Sequence, residues 1–325
     1  MKATAKAHTN IALIKYWGKR DESLILPMNN SLSLTLDGFY TTTSVEFQND
    51  LSADRFYLNG QLTEGAEKHR VTAFLDRIRA AAGEPDAFAE IHSANHVPTA
   101  AGFASSASGF AALAAAAAKA IDLSVNQQQL SILTRQGSGS ACRSVYGGFV
   151  EWEKGKLSDG SDSFAIPVAS ADHWDIRVAA VVLSSAEKKV LSREGMKRTV
   201  NTSVYYPSWV DSIPDDLAAI KDGIVAKDVE KVGEIAEANC LRMHATTLAA
   251  NPPFSYWQST TVSIIQAVQD LRAAGVPAFF TIDAGPNVKV LYTPDYEEKV
   301  RNTLRNIAGV HDVKVSKPGE GISYI

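Results

Sequence analysis

The residues best suited to chemistry lie in Pro98-Thr99-Ala100-Ala101-Gly102-Phe103-Ala104-Ser105-Ser106-Ala107-Ser108, a small-residue stretch that runs into the alanine-rich segment 109–120. A tight turn feeding the amino end of a helix offers unpaired N–H groups and a positive dipole end, both of which favour a phosphate. Gly, Ala and Ser let the main chain approach an anion closely, and two or three hydroxyls can add hydrogen bonds or reach a phosphate-bound magnesium ion. It is not a Walker loop, because no Lys follows the glycine at the required position. Taken alone, the stretch is more simply read as the Ser-capped start of an alanine-rich core helix. A second turn, Gly137-Ser138-Gly139-Ser140-Ala141-Cys142-Arg143-Ser144, ends in a fork-shaped cation suited to a diphosphate or a carboxylate, and on its own equally suited to a surface salt bridge. Lys15-Tyr16-Trp17-Gly18-Lys19-Arg20 gathers aromatic and basic groups, with Trp17 as apt for packing as for recognition. Asp283 opens Asp283-Ala284-Gly285-Pro286-Asn287; a lone carboxylate in such a turn usually makes an Asx turn or a helix cap.

These clusters need elements to hold them. Residues 2–16 read as a strand ending in a charged loop. Ser31-Leu32-Ser33-Leu34-Thr35-Leu36 alternates polar with apolar, as a half-buried strand does, and 41–47 follows as its partner. Val71, Phe74, Leu75 and Ile78 recur at helical spacing, which predicts an amphipathic helix over 67–82 stopped near Gly83 and Pro85. A strand at 88–94 precedes the small-residue stretch. Ser124 with Gln127 reads as a capping box for a helix carrying Leu130 and Leu133 and stopping at Gly137. Strands follow at 148–152 and 177–183. Val229, Val232, Ile235, Ala236 and Met243, then Ile265, Val268 and Leu271, mark two long helices. Strands at 278–282 and 288–292, a helix at 295–307 and a strand at 310–315 complete a strand, helices, strand, strand, helix, strand order. That order is the split βαβ, ferredoxin-like arrangement, which places the domain boundary near Leu183.

The composition sets limits. At 325 residues the chain exceeds the usual single-core size, so two domains sharing a cleft are expected. A formal charge of −4 and a pI near 6.0 argue against nucleic acid as a partner. Lys188-Lys189 and Lys197-Arg198 read as solvated faces unless the site is itself anionic. Two cysteines, Cys142 and Cys240, point to a reducing cytoplasm and quiet packing rather than a disulfide framework. The longest apolar run is short and mostly alanine, so no membrane span is expected. His92 and His96 fall in an extended stretch, where a helical zinc pair is improbable.

Together and in this order, the four clusters resemble the GHMP small-molecule kinase superfamily and, within it, the mevalonate diphosphate decarboxylase branch. The resemblance runs the length of the chain. It implies an α+β fold in two parts: an N-terminal, ribosomal-protein-S5-domain-2-like ATP-binding domain over 1–183 and a ferredoxin-like domain over 184–325. It also implies an ATP-dependent decarboxylation of mevalonate diphosphate to isopentenyl diphosphate, with magnesium, and a homodimer. By this resemblance Asp283 is the base for the tertiary hydroxyl, Lys15 stands beside it and Arg143 completes the catalytic set. Asn10, Tyr16, Lys19, Ser138, Gly139, Ser140, Ser192 and Arg193 join Arg143 on the substrate. Ser93, Asn95, Pro98, Ala101, Gly102, Ser105, Ser106 and Ser108 serve ATP, with Ser106 on the metal, which is held mainly through the phosphates. Two anions sharing one pocket would explain why an acidic chain concentrates Lys15, Lys19, Arg143 and Arg193 there. Many kinase cousins end the second turn in a catalytic aspartate. Here that position is Arg143 and the acid is Asp283, which favours the decarboxylase branch. A decarboxylase of the monophosphate, a mevalonate or phosphomevalonate kinase, and a silent nucleotide sensor are the alternatives.

Overall fold

Strand Lys2–Ile14 is the spine of the first sheet in the computed structural model, which describes residues 1–96, 105–183 and 190–325. Among these residues the sheet runs Ser323–Tyr324, Lys2–Ile14, Ser31–Phe47, Ala89–His96, Arg55–Leu58, Gln61–Leu62, with Phe149–Trp152 and Ala165–Ala169 branching from Ser31–Phe47. The strands expected at 31–36 and 41–47 are two arms of one strand rather than partners. Both pair with Lys2–Ile14, Asn10 facing Thr35 and His8 facing Tyr40, so 36–39 bulge out of register. A bulge re-aims the side chains beyond it. Leu32, Leu34 and Leu36 pack between the lobes, whereas Val45 packs with helices Ala66–Ala82 and Ser105–Ala120 on the far side of the sheet. The carboxyl tail closes the bend: Asp37 N donates to Lys317 O at 3.0 Å and Gly319 N to Thr35 O at 2.9 Å.

Helix Gln127–Arg135 begins two residues later than expected. Its capping box is Asn126 with Gln129, each side chain bonded to the other's main-chain N–H, which turns Leu130 and Thr134 inward. The residues expected as a second Gly/Ser turn form a short 3-10 helix, Gly139–Val145.

The second sheet runs Phe279–Ile282, Val288–Tyr292, Arg177–Val182, Asp312–Ser316, antiparallel throughout, which is the ferredoxin-like order. Its central strand alternates as a doubly covered strand must: Val178, Ala180 and Val182 face the shared core, Ala179 and Val181 an outer one under helices Ser259–Ala273 and Glu297–Arg305. Because Arg177–Val182 belongs to this sheet, we place the division between the lobes ahead of it, upstream of Leu183. The tail also crosses back, Tyr324 pairing with Ala5.

Helices Ser192–Thr202 and Tyr206–Ala226 add to those expected. The second buries Trp209, Ile213, Leu217, Ile220 and Ile224 at helical spacing, enough to carry Pro214 in its interior. With Val229–Leu248 it fills the space between the sheets, where Ile11, Leu13 and Phe149 meet Val178, Val182 and Leu291 in one continuous core. Among the described residues no helix is long and apolar enough to cross a membrane.

Candidate active site

A cavity of about 420 Å³ is walled by both lobes. The first strand and its loop contribute Asn10, Ala12, Lys15, Tyr16, Trp17 and Lys19; the 3-10 turn contributes Ser138, Gly139, Ser140 and Arg143. From the second lobe come Ser192, Arg193, Met196, Met243, Asp283 and Ala284. The nine residues expected on the substrate thus meet with Asp283 and Lys15 at one cleft.

Asp283 leaves the end of strand Phe279–Ile282 in the hairpin to Val288–Tyr292, where Thr281 faces Lys289 and Ile282 faces Val288. Side chains alternate along a strand, so Thr281, Asp283 and Lys289 share a face. Lys15 Nζ lies 2.7 Å from Asp283 Oδ1 and Lys289 Nζ lies 3.1 Å from Oδ2. Burial opposes the charge on Asp283, but the two ammonium groups, Lys15 ahead of Lys289, more than offset it and hold the carboxyl far below the usual carboxylate range. Helix Val229–Leu248 ties down Lys15 and the residue before Asp283. Asn239 Oδ1 accepts from Lys15 N at 2.9 Å, and the Ile282 carbonyl accepts from His244 Nε2 at 3.1 Å and Cys240 Sγ at 3.3 Å. A carbonyl only accepts, so His244 carries its proton on Nε2; burial pushes its pKa down to about 4, leaving it neutral.

Arg143 is fully buried and splayed over three partners: Nε donates to Ser33 Oγ at 2.9 Å, one terminal nitrogen to Ser31 Oγ at 2.5 Å and the other to Asn10 Oδ1 at 3.2 Å. Trp152 flanks the guanidinium 5.9 Å away. The serines expected on the wet face of a half-buried strand are therefore buried against a cation. Burial lowers the Arg143 pKa, with Cys142 and Asp283 acting against it, yet a guanidinium stays protonated. Among the described residues no carboxylate forms an ion pair with it. A buried cation with only neutral partners is an anion site in waiting.

Around it, Asn10 Nδ2 ties the first strand to the turn through Ser140 O at 3.0 Å and Ser144 Oγ at 2.8 Å. The Tyr16 ring packs on Trp152 and its hydroxyl is buried without a hydrogen-bond partner among the described residues; burial pushes its pKa up, so the hydroxyl remains a donor. Lys19 pairs with the exposed Glu22, a partner an incoming anion can replace. Trp17 is core: it stands edge-on to Tyr256, and its carbonyl accepts from the Tyr206 hydroxyl at 2.6 Å. Gly18 must be glycine, because at φ +103° a Cβ would meet that same hydroxyl at 2.0 Å.

A smaller cavity of about 150 Å³ adjoins the first, lined by Phe56, Leu58, Val71, Phe110 and Leu113 together with the polar side chains of Glu67, Ser93 and Asn95. Arg70 and Ser106 line both cavities. Ser108 reaches neither: its hydroxyl lies in the core, 2.8 Å from Thr41 Oγ1. Pro98, Ala101, Gly102 and the side chain of Ser105, all expected on ATP, lie outside the described residues, as do Lys188 and Lys189. The sequence reading missed Lys289, Arg70, Ser31 and Ser33. For Lys289 a signal existed, a single ammonium in the apolar strand Val288–Tyr292 opposite the residue two before Asp283. Among the described residues no three His, Cys, Asp or Glu side chains converge as a metal cage, and His92 and His96 instead stack on Tyr57 and Tyr40.

Two family models match the chain: the diphosphomevalonate decarboxylase-like N-terminal domain over residues 7–165 and the mevalonate 5-diphosphate decarboxylase C-terminal domain over 178–319. The diphosphomevalonate decarboxylase of Candida albicans is 40% identical over 316 residues, 93% of this chain and 87% of that protein. Among solved structures, the mevalonate diphosphate decarboxylase from Staphylococcus aureus is 47% identical with a TM-score of 0.95, covering 100% of this chain and 98% of that one. MDDEF in complex with MVAPP, AMPPCP and magnesium is 46% identical with a TM-score of 0.94, covering 100% and 99%.

Proposed function

The chain belongs to the diphosphomevalonate decarboxylase family, and on that premise we propose that it turns mevalonate 5-diphosphate and ATP into isopentenyl diphosphate, ADP, phosphate and carbon dioxide. The observation that carries this reading is the Asp283 carboxylate, 2.7 Å from Lys15, on one wall of a cleft whose other wall is the buried Arg143 and a serine turn.

A tertiary alcohol is a poor nucleophile, so the first step needs a positioned base and an aligned phosphoryl group. Asp283 takes the hydroxyl proton as the oxygen attacks the γ-phosphorus of ATP and ADP departs. Lys15, which lines the cleft, turns from the carboxylate toward the phosphoryl oxygens and offsets the charge that gathers there. The new phosphate then leaves the tertiary carbon with the C–O electron pair. The neighbouring carboxylate loses carbon dioxide, and the C–C electron pair becomes the double bond. Arg143, Tyr16, Lys19 and the Ser138-Gly139-Ser140 turn hold the anionic ends of the substrate. Ser192 and Arg193 close from the first turn of helix Ser192–Thr202, where N–H groups favour an anion.

The smaller cavity takes the adenine between its apolar side chains, with Ser93 and Asn95 among its lining. The phosphates then pass Arg70 and Ser106, the two residues common to both cavities. Magnesium fits this donor set: with no carboxylate cage among the described residues, ATP phosphates and the Ser106 hydroxyl supply the hard oxygens it prefers. When bound, it neutralises phosphate charge. The homodimer and the cytoplasmic location belong to the same proposal, the latter resting on two buried free thiols, Cys142 and Cys240.

The test is stoichiometry with purified mevalonate diphosphate. Equal release of ADP, phosphate and carbon dioxide is the expected result. ADP with a stable phosphorylated product would replace the reading with a kinase, and ATP binding without turnover would replace it with a sensor.

A further inference from the structure

Lys15 and Lys289 grip the same carboxylate from different sides. Lys15 lines the cleft, within reach of an arriving phosphate. Lys289 does not line it; the residue is 2% exposed, within a strand whose other members, Val288, Val290, Leu291 and Tyr292, are fully buried. Its Nζ lies 3.1 Å from Asp283 Oδ2 and 3.3 Å from the Asn287 carbonyl, so the hairpin itself fixes the contact. One ammonium can be exchanged for a substrate anion and the other cannot.

Resting on the reading of Asp283 as the base, we propose that Lys289 is its positioning residue. It holds Oδ2 throughout the reaction, so that Oδ1, vacated when Lys15 turns to the phosphate, is the oxygen that receives the hydroxyl proton. Basicity is thereby tied to the arrival of ATP. With both lysines in place the carboxylate is a very weak base; with Lys15 drawn away, only Lys289 restrains it. The other titratable groups facing Asp283 do not take over this task. His244, on helix Val229–Leu248, is neutral above about pH 4, burial raises the Cys240 thiol on the same helix, and Arg143 keeps its charge across the cleft.

The test uses Lys289→Met, and Lys289→Gln, which keeps the length and a donor without the charge. For each, kcat and both KM values are measured from about pH 5 to about pH 9, alone and in an Asp283→Asn background. We expect KM values within about threefold of wild type and a kcat loss of roughly 10²-fold, the size expected when a reacting group is misplaced. The acid limb of kcat, which reports the complex in which Lys15 has left the carboxylate, should move up by about 1–2 pH units, because the one cation still favouring the carboxylate is gone. In the Asp283→Asn background the same changes should cost less than about threefold, since they act only through that carboxylate. An unmoved acid limb, multiplying losses in the double variants, or failure of both single variants to fold would overturn the proposal and make Lys289 a structural residue. Failure of the underlying reading looks different: Asp283→Asn alone would then turn over normally.

Discussion

Replacing Asp283 with Asn removes the proposed base and one negative charge while keeping the shape of the side chain. The hairpin around it has its own supports, Gly285 N donating to Asp283 O at 2.7 Å and Thr261 Oγ1 to Pro286 O at 2.8 Å, so the loop should hold its course. Two almost buried ammonium groups, Lys15 and Lys289, then lose their counterion, and the cleft becomes more positive. Anionic ligands should bind at least as well as before, leaving KM for ATP and mevalonate diphosphate unchanged or lower. Loss of a positioned general base costs about 10²–10⁴-fold in rate, which is roughly 3–5 kcal/mol of barrier. Steady-state assays of ADP and carbon dioxide release, beside thermal unfolding to confirm the fold, read both quantities. A kcat within about tenfold of wild type, or KM rising with kcat preserved, would refute the assignment.

Arg143→Lys should lower kcat/KM by roughly 10²-fold or more despite conserving charge, because a single ammonium cannot span Ser31, Ser33 and Asn10; kinetics equal to wild type would remove Arg143 from the site. Gly139→Ala should raise KM for the substrate diphosphate with little change for ATP, since the added Cβ meets Trp152 at 2.8 Å and Tyr16 at 3.0 Å; an equal rise in both KM values would count against separate ligand walls. His244 gains protons at about pH 4 in the fold and near pH 6.5 when unfolded, so its stabilising effect is complete above pH 6.5 and is lost as pH falls toward 4. At 1.36 kcal/mol per unit this amounts to about 3 kcal/mol across the window, read as a falling urea midpoint that His244→Gln should flatten. Parallel curves for the two proteins would contradict it.

Much of this arrangement is legible in the sequence where local rules and tertiary packing agree. The ferredoxin-like order follows from strands and helices whose apolar spacing survives in the structure. The helix Ala66–Ala82 ends at Gly83 in the left-handed region, as its pattern requires. Where tertiary context overrides local pattern, the reading slips. The long strand Ser31–Phe47 looks like two because Asp37-Gly38 interrupts the alternation, and only its pairing with Lys2–Ile14 reveals one strand with a bulge. Tyr206–Ala226 hides behind Pro207 and Pro214, although its apolar spacing is helical. Ser31 and Ser33 carry the polar half of an alternating pattern, which ordinarily means water and here means Arg143. Most of the candidate site depends on recognising four clusters together. Lys289 lies outside them, and only the cross-strand register brings it to Asp283.

The most direct measurement is a crystal structure with mevalonate diphosphate and a non-hydrolysable ATP analogue bound together. The tertiary hydroxyl oxygen is expected within about 3 Å of Asp283 Oδ1, in line with the γ-phosphorus, with Lys15 turned onto the phosphate oxygens. A hydroxyl beyond hydrogen-bond reach of residue 283 in the closed complex, with Lys15 still on the carboxylate, would contradict it.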